Sequence, residues 1–249
     1  MRLSRILPAL FCLTIARAAD PQLALLLQQG DAEVGKQNAH AALALFAQAE
    51  KLDPSNLEVL LRISQQNSDL MALAAKPEEA QTLGHTALDY AQRAVALAPQ
   101  NAKAHLAIAV ACGRLTDFSG NKAKLEFSRR VKSEAQLAAT LDPHEDYAFH
   151  VLGLWNYRVA SLSRTMKLLA KLIYGGVPDA SFDEAARDLQ KAIALAPQRI
   201  IHHRELARVY VAMEKRDLAR EQWRTILTLP AQNPDDEKAQ HEAKDALAK

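Results

Sequence analysis

The chain has 249 residues, 49% hydrophobic but only 5% aromatic, with eight glycines and a formal net charge of +2. Ala and Leu, the strongest helix formers, dominate the apolar fraction, so the composition points to an all-helical protein. The near balance of charge gives no general case for nucleic acid or an anionic membrane as partner.

The first residues have the three zones of a secretory signal. Arg2 and Arg5 precede an apolar run from Ile6 to Ile15, followed by Ala16, Arg17, Ala18 and Ala19 before the first acid, Asp20. Residues 1–19 are therefore expected to be cleaved after Ala18 or Ala19, with export to a periplasm or the outside; an organelle presequence is the alternative. Cys12 lacks the small residues that precede a lipoprotein cysteine. Arg2, Arg5 and Arg17 account for the whole positive excess, so the mature chain is close to neutral. It contains no apolar run of about eighteen residues, hence no expected membrane span, and one cysteine, Cys112, expected as a buried small hydrophobe.

Residues 20–249 carry an internal repeat. Five segments present a packing residue, a second about one helical turn on, and a Pro eight positions later: Ala42, Phe46, Pro54; Ala87, Ala91, Pro99; Val131, Ala135, Pro143; Ala185, Leu189, Pro197; and Ala219, Trp223, Pro230, with a last gap of seven. Leu stands one or two residues before each Pro. Small residues let two helix axes approach, and Pro ends the helix it follows. The pattern resembles the tetratricopeptide repeat (TPR), a pair of antiparallel helices, and predicts an all-α right-handed superhelical solenoid of about five helix pairs.

The partition predicted from turns and caps is units 21–54, 56–99, 101–143, 144–197 and 199–230, then a closing helix over 234–248. Asp20-Pro21, Asn56, Asn101 and Asn233-Pro234 are start signals, and Ser181 with Glu184 has capping-box spacing. The Pro-to-Pro distances are 45, 44, 54 and 33. Units two and three absorb their excess as longer helices and loops; unit four holds about twenty extra residues. From Gly153 to Tyr174 the pattern is helical, with Gly175-Gly176-Val177-Pro178 as its stop. Arg164, Lys167 and Lys171 form a basic stripe beside Met166, Leu168, Leu169, Leu172 and Ile173. Such a helix lies on a membrane or clasps a partner, or packs over neighbouring units with its Lys face in water.

The run from Gly153 to Ser163, the insert with Gly175, the helix from Ser181 to Pro197, Tyr210, Trp223 and the Leu229-Pro230 ending resemble the C-terminal domain of the regulator of microtubule dynamics family, over about His144 to Lys249. The resemblance implies a non-enzymatic TPR protein associated with microtubules, one branch of the family tethering organelle membranes and binding phospholipid. This chain differs in carrying a cleavable signal where the tethered members carry a transmembrane anchor.

In a TPR superhelix the first helices line the concave face. Their register predicts Asp31, Glu58, Asp69 and Lys103 toward one end, and Arg114, His150, Tyr157, Arg158, Arg204 and Arg208 toward the other. The basic half is expected to receive an anion, such as an acidic or C-terminal peptide or a lipid head group; a solvated polar face is the alternative. His202 and His203 are adjacent, diverge by about 100° on a helix and do not grip one ion together. No CxxC, HExxH, GxSxG or phosphate loop occurs, and Trp155 and Trp223 read as core anchors. The sequence reading is thus a binding protein without catalytic residues, metal or cofactor: a scaffold for a protein or peptide, the alternative being a lipid-binding or transfer module whose apolar channel is covered by the long fourth unit.

Overall fold

The computed structural model describes residues 20–174, Gly176 and 178–248; the expected signal, residues 1–19, lies outside them. Among the described residues the chain forms twelve α-helices and no strand: α1 (Pro21–Gly35), α2 (Ala39–Leu52), α3 (Leu57–Leu70), α4 (Pro77–Leu97), α5 (Ala102–Leu115), α6 (Asn121–Leu141), α7 (Asp146–Ala160), α8 (Arg164–Tyr174), α9 (Phe182–Leu195), α10 (Ile200–Ala212), α11 (Arg216–Thr228) and α12 (Pro234–Leu247). Five pairs, α1/α2, α3/α4, α5/α6, α7/α9 and α10/α11, stack in chain order, and α12 packs on the last.

Local sequence explains where each helix begins. Asp20 accepts a hydrogen bond from the Gln22 amide with Pro21 at the first helical position. Asn56, Asn101, Ser181 and Asn233 likewise accept from amides of the first turns of α3, α5, α9 and α12. The small residues of the repeat explain the pairing. Ala42, Ala87, Ala91, Ala135 and Ala185 are fully buried where paired helices cross. At Gly30 an added Cβ would stand 2.2 Å from the Phe46 ring, and at Gly153 it would stand 2.6 Å from Leu189 Cγ. These crossings are therefore closer than any side chain permits. Trp155 and Trp223 are buried as core anchors, Trp155 donating its Nε1–H to the Ser128 carbonyl at 2.8 Å.

Two of the long units absorb their excess in α4 and α6, each 21 residues against 14 in α2. The fourth unit does not: the predicted continuous helix from Gly153 to Tyr174 is two helices. Serines cause the break by offering the backbone local hydrogen bonds. Ser161 Oγ donates to the Tyr157 carbonyl, and Ser163 Oγ accepts from the Met166 amide. After α8 the chain is tied back to α6, where Arg129 donates to the Gly176 carbonyl and Lys132 to that of Asp179.

Candidate functional site

The first helices line a groove containing two cavities of about 550 and 580 Å³, which share Val110, Arg114 and Tyr147. The N-terminal cavity is walled by α1, α3, α5 and the start of α7, and the C-terminal one by α5, α6, α7 and α10. All six residues expected in the basic half, Arg114, His150, Tyr157, Arg158, Arg204 and Arg208, line the second cavity.

The expected gradient from acidic to basic is largely cancelled pair by pair. At the acidic end Arg62 grips Asp31 through two bonds, 2.8 and 2.9 Å, and reaches Glu58 at 2.5 Å. At the basic end Arg114 holds Asp69 at 2.9 Å, and Arg158 stands 3.7 Å from Asp117. Arg208 binds Glu242 through two bonds, 2.6 and 2.8 Å, and shares the buried Glu205 with Arg204. An incoming anion competes with a carboxylate already in place at each of these guanidinium groups. Burial nevertheless raises the Asp69 carboxyl above its ordinary value, with Arg114 opposing.

The most enclosed polar residues of the groove are not the arginines. His150 is only 2% exposed. Its ring stacks on Tyr147 at 4.8 Å and 15°, and its Nδ1 lies 3.0 Å from Nδ1 of His202. His202 Nε2 lies 2.8 Å from Asp146 Oδ2, and Arg199 Nε is 3.3 Å from that same oxygen. Burial pushes the His150 imidazole well below its ordinary value, helped by His202, Arg204 and Arg199; burial also lowers His202, against the pull of Asp146. His203 points away, to Gln222 and the Pro197 carbonyl, so the two adjacent histidines do diverge.

The sequence pattern did not single out Arg62, Glu205, Glu242, Asp146 or Tyr147, and weighed His202 only as a metal ligand. Glu58 with Arg62 and Glu205 with Arg208 are visible as helical neighbours. His150 and His202 meet across fifty-two positions, and only the repeat register brings α7 beside α10.

The fourth-unit helix departs from the expectation that it packs over its neighbours or roofs a channel. Met166, Leu168, Leu172 and Ile173 are exposed, Leu172 by 75%. Lys167 is the stripe residue turned inward, its Nζ 3.0 Å from the Ala160 carbonyl, while Arg164 and Lys171 are exposed. The four apolar side chains therefore make an outer face, as α8 has no substantial contact with another helix among the described residues. Cys112 is buried, and that burial pushes its thiol up to about 12.

The fold defines a TPR-like helical solenoid. It matches a thermophilic TPR protein of Thermus thermophilus with a TM-score of 0.69 at 21% identity, covering 91% of this chain and all of that one. It also matches PilW, a type IV pilus biogenesis factor, with a TM-score of 0.60 at 17% identity, covering 92% and 88%. The chain belongs to the family described as Regulator of microtubule dynamics protein 1-3, whose profile matches residues 26–249, well ahead of the expected start at His144. It is 26% identical to the human Regulator of microtubule dynamics protein 2 over 91% of this chain and 56% of that protein. Against the mouse protein 1 the identity is 27% over 76% and 63%, and against the Xenopus laevis protein 3 it is 26% over 80% and 42%. The chain thus spans about half the length of these relatives.

Proposed function

We propose that this protein is a non-enzymatic scaffold that receives an extended segment of a protein partner in the C-terminal half of its groove. The observation that carries the reading is the 580 Å³ cavity, which combines apolar walls such as Val110, Val151 and Leu154 with the side chains of Tyr147, Tyr157, Arg158 and Arg204. That mixture suits a ligand recognised by shape and a few directed hydrogen bonds. Because the arginines are already paired, bulk negative charge contributes little to affinity. Leu154→Trp fills the cavity without touching the ion pairs. On an immobilised peptide library, wild-type protein is expected to retain peptides that Leu154→Trp binds at least about tenfold more weakly, a loss of roughly 1.4 kcal/mol. Equal retention by both proteins rules the groove out as the partner's site.

A second reading concerns α8, whose outward apolar arc beside Arg164 and Lys171 is the arrangement of a helix that rests in a lipid surface. Co-sedimentation with anionic vesicles that is lost in Leu168→Ser/Leu172→Ser supports it; co-sedimentation unaffected by that double substitution removes it.

A further inference from the structure

Four histidines are buried among the described residues, and three of them use both ring nitrogens inside the protein. His105 lies 2.6 Å from Glu134 Oε2 and 2.9 Å from the Pro99 carbonyl. His203 lies 2.8 Å from Gln222 Oε1 and 2.9 Å from the Pro197 carbonyl. His202 bonds Asp146 and His150. His150 alone keeps a nitrogen, Nε2, with no hydrogen bond among the described residues. Among the described residues the one fully enclosed side-chain polar atom without a partner is Asn156 Oδ1, and His150 itself lines the C-terminal cavity.

The hydrogen-bond chain fixes what that nitrogen carries. The Asp146 carboxylate, ion-paired with Arg199, can only accept, so His202 donates from Nε2. A neutral imidazole has one N–H, so His202 Nδ1 holds a lone pair and His150 must donate its Nδ1–H to it. His150 Nε2 is then left with a bare lone pair. Burial lowers both imidazoles below their ordinary value, which favours the neutral rings that the relay requires.

The surroundings select the ligand. A carboxylate oxygen would set lone pair against lone pair at Nε2. An ammonium group would enter a region faced by Arg114, Arg199 and Arg204, the cations whose charges act on Tyr147. An uncharged N–H meets neither objection. Tyr147, stacked on His150 and lining both cavities, has a hydroxyl with no hydrogen bond among the described residues, and Arg204 engages Glu205 through Nε with its terminal N–H groups unspent. These are donors for a carbonyl.

We propose that His150 Nε2 and the Tyr147 hydroxyl form an amide-recognition point in the groove, His150 accepting the N–H of a peptide group and Tyr147 with Arg204 donating to a carbonyl. The proposal rests on the groove reading for its biological ligand, but its chemistry is testable alone. In long-range proton–nitrogen NMR spectra of histidine-labelled protein at mildly alkaline pH, His150 is expected as the Nδ1–H tautomer, the minor form of free imidazole. Titration with N-methylacetamide is expected to move the His150 Nε2 resonance along a saturating curve, while sodium acetate leaves it in place. Tyr147→Phe is expected to weaken the amide response by about fivefold, the value of one ordinary hydrogen bond. An Nε2–H tautomer of His150, or equal responses to acetate and the amide, overturns the proposal, and both are read in the unmutated protein. If Leu154→Trp abolishes peptide retention while His150 shows the reverse tautomer, the groove reading stands and this one falls. If the tautomer and amide response are as stated but peptide retention ignores Leu154→Trp, the recognition point stands and the partner's site lies elsewhere.

Discussion

Helices α7 and α8 are consecutive, belong to one repeat unit and are separated by three residues, yet they treat burial in opposite ways. α7 takes His150 and Asn156 into the interior along with Val151, Leu152 and Trp155. α8 leaves Leu168, Leu172 and Ile173 in water. In this solenoid burial follows repeat register more closely than hydrophobicity. α7 occupies a first-helix position, with α6 and α9 packed along it and α5 and α10 touching it. Its polar side chains are tolerable inside because almost all find partners. α8 is an insertion, and among the described residues no neighbouring helix packs substantially against it.

Substitutions along the two helices should therefore differ sharply in cost. The largest effect is expected for Trp155→Ala, about 3–5 kcal/mol of unfolding free energy by chemical denaturation, since a large buried ring and its hydrogen bond are both lost. Gly153→Ala comes next, at about 1–3 kcal/mol, because the new methyl meets Leu189 Cγ at 2.6 Å and the Ala185 carbonyl at 3.1 Å. Were either as mild as a change on α8, the contrast would collapse.

The polar interior of α7 can be sharpened by titration. Burial raises the Asp188 carboxyl to about 6, against the hydrogen bond it accepts from Asn156 Nδ2 at 3.0 Å, while Asn156 Oδ1 has no partner among the described residues. Asp188→Asn removes the desolvated charge and places an amide donor beside the Asn156 side chain, which already bonds residue 188. It is expected to stabilise the protein at neutral pH by about 0.5–2 kcal/mol.

The same substitution separates two opposing pH effects. Between its folded value near 6 and its ordinary 3.8, Asp188 holds a proton that the unfolded chain has released, so its contribution to stability improves as pH falls through that window. His150 and His202 act in the other direction. Their folded values lie below the ordinary 6.5, so the unfolded chain binds protons first, and stability complete above 6.5 is lost as pH falls below it. Asp146, Arg199, Arg204 and Tyr147 are the titratable or charged groups facing this pair, and the charge of the adjacent, outward-turned His203 also acts on His202. In Asp188→Asn the unfolding midpoint is expected to drop more steeply on acidification than in wild type; an unchanged slope breaks the assignment. The smallest effect belongs to α8, where Leu172→Ser is expected to change unfolding free energy by less than about 0.5 kcal/mol.

Much of the fold is legible in the chain because its determinants are local. The Pro-ended repeats, the small residues at helix crossings and the cap at Ser181 act within a few residues of one another, and a helix needs nothing further to begin, end and choose a face. The groove was legible as a set of positions: Arg114, His150, Tyr157, Arg158, Arg204 and Arg208 do line one cavity. Its electrostatics were not. Reading single residues by sign suggested a basic half, whereas the guanidinium groups find their carboxylates on other helices, Arg62 at Asp31 and Arg208 at Glu242.

Most of the helices, their pairing and the class of solenoid follow from the sequence, since periodicity and steric size operate over one or two turns; the break between α7 and α8 does not. Which charges cancel, that His150 meets His202 and through it Asp146, and that Leu168, Leu172 and Ile173 of α8 stay exposed were settled by tertiary structure. Those outcomes depend on which atom stands opposite across a gap of thirty to fifty-six residues, or on whether anything stands there at all, and a local pattern carries no information about either.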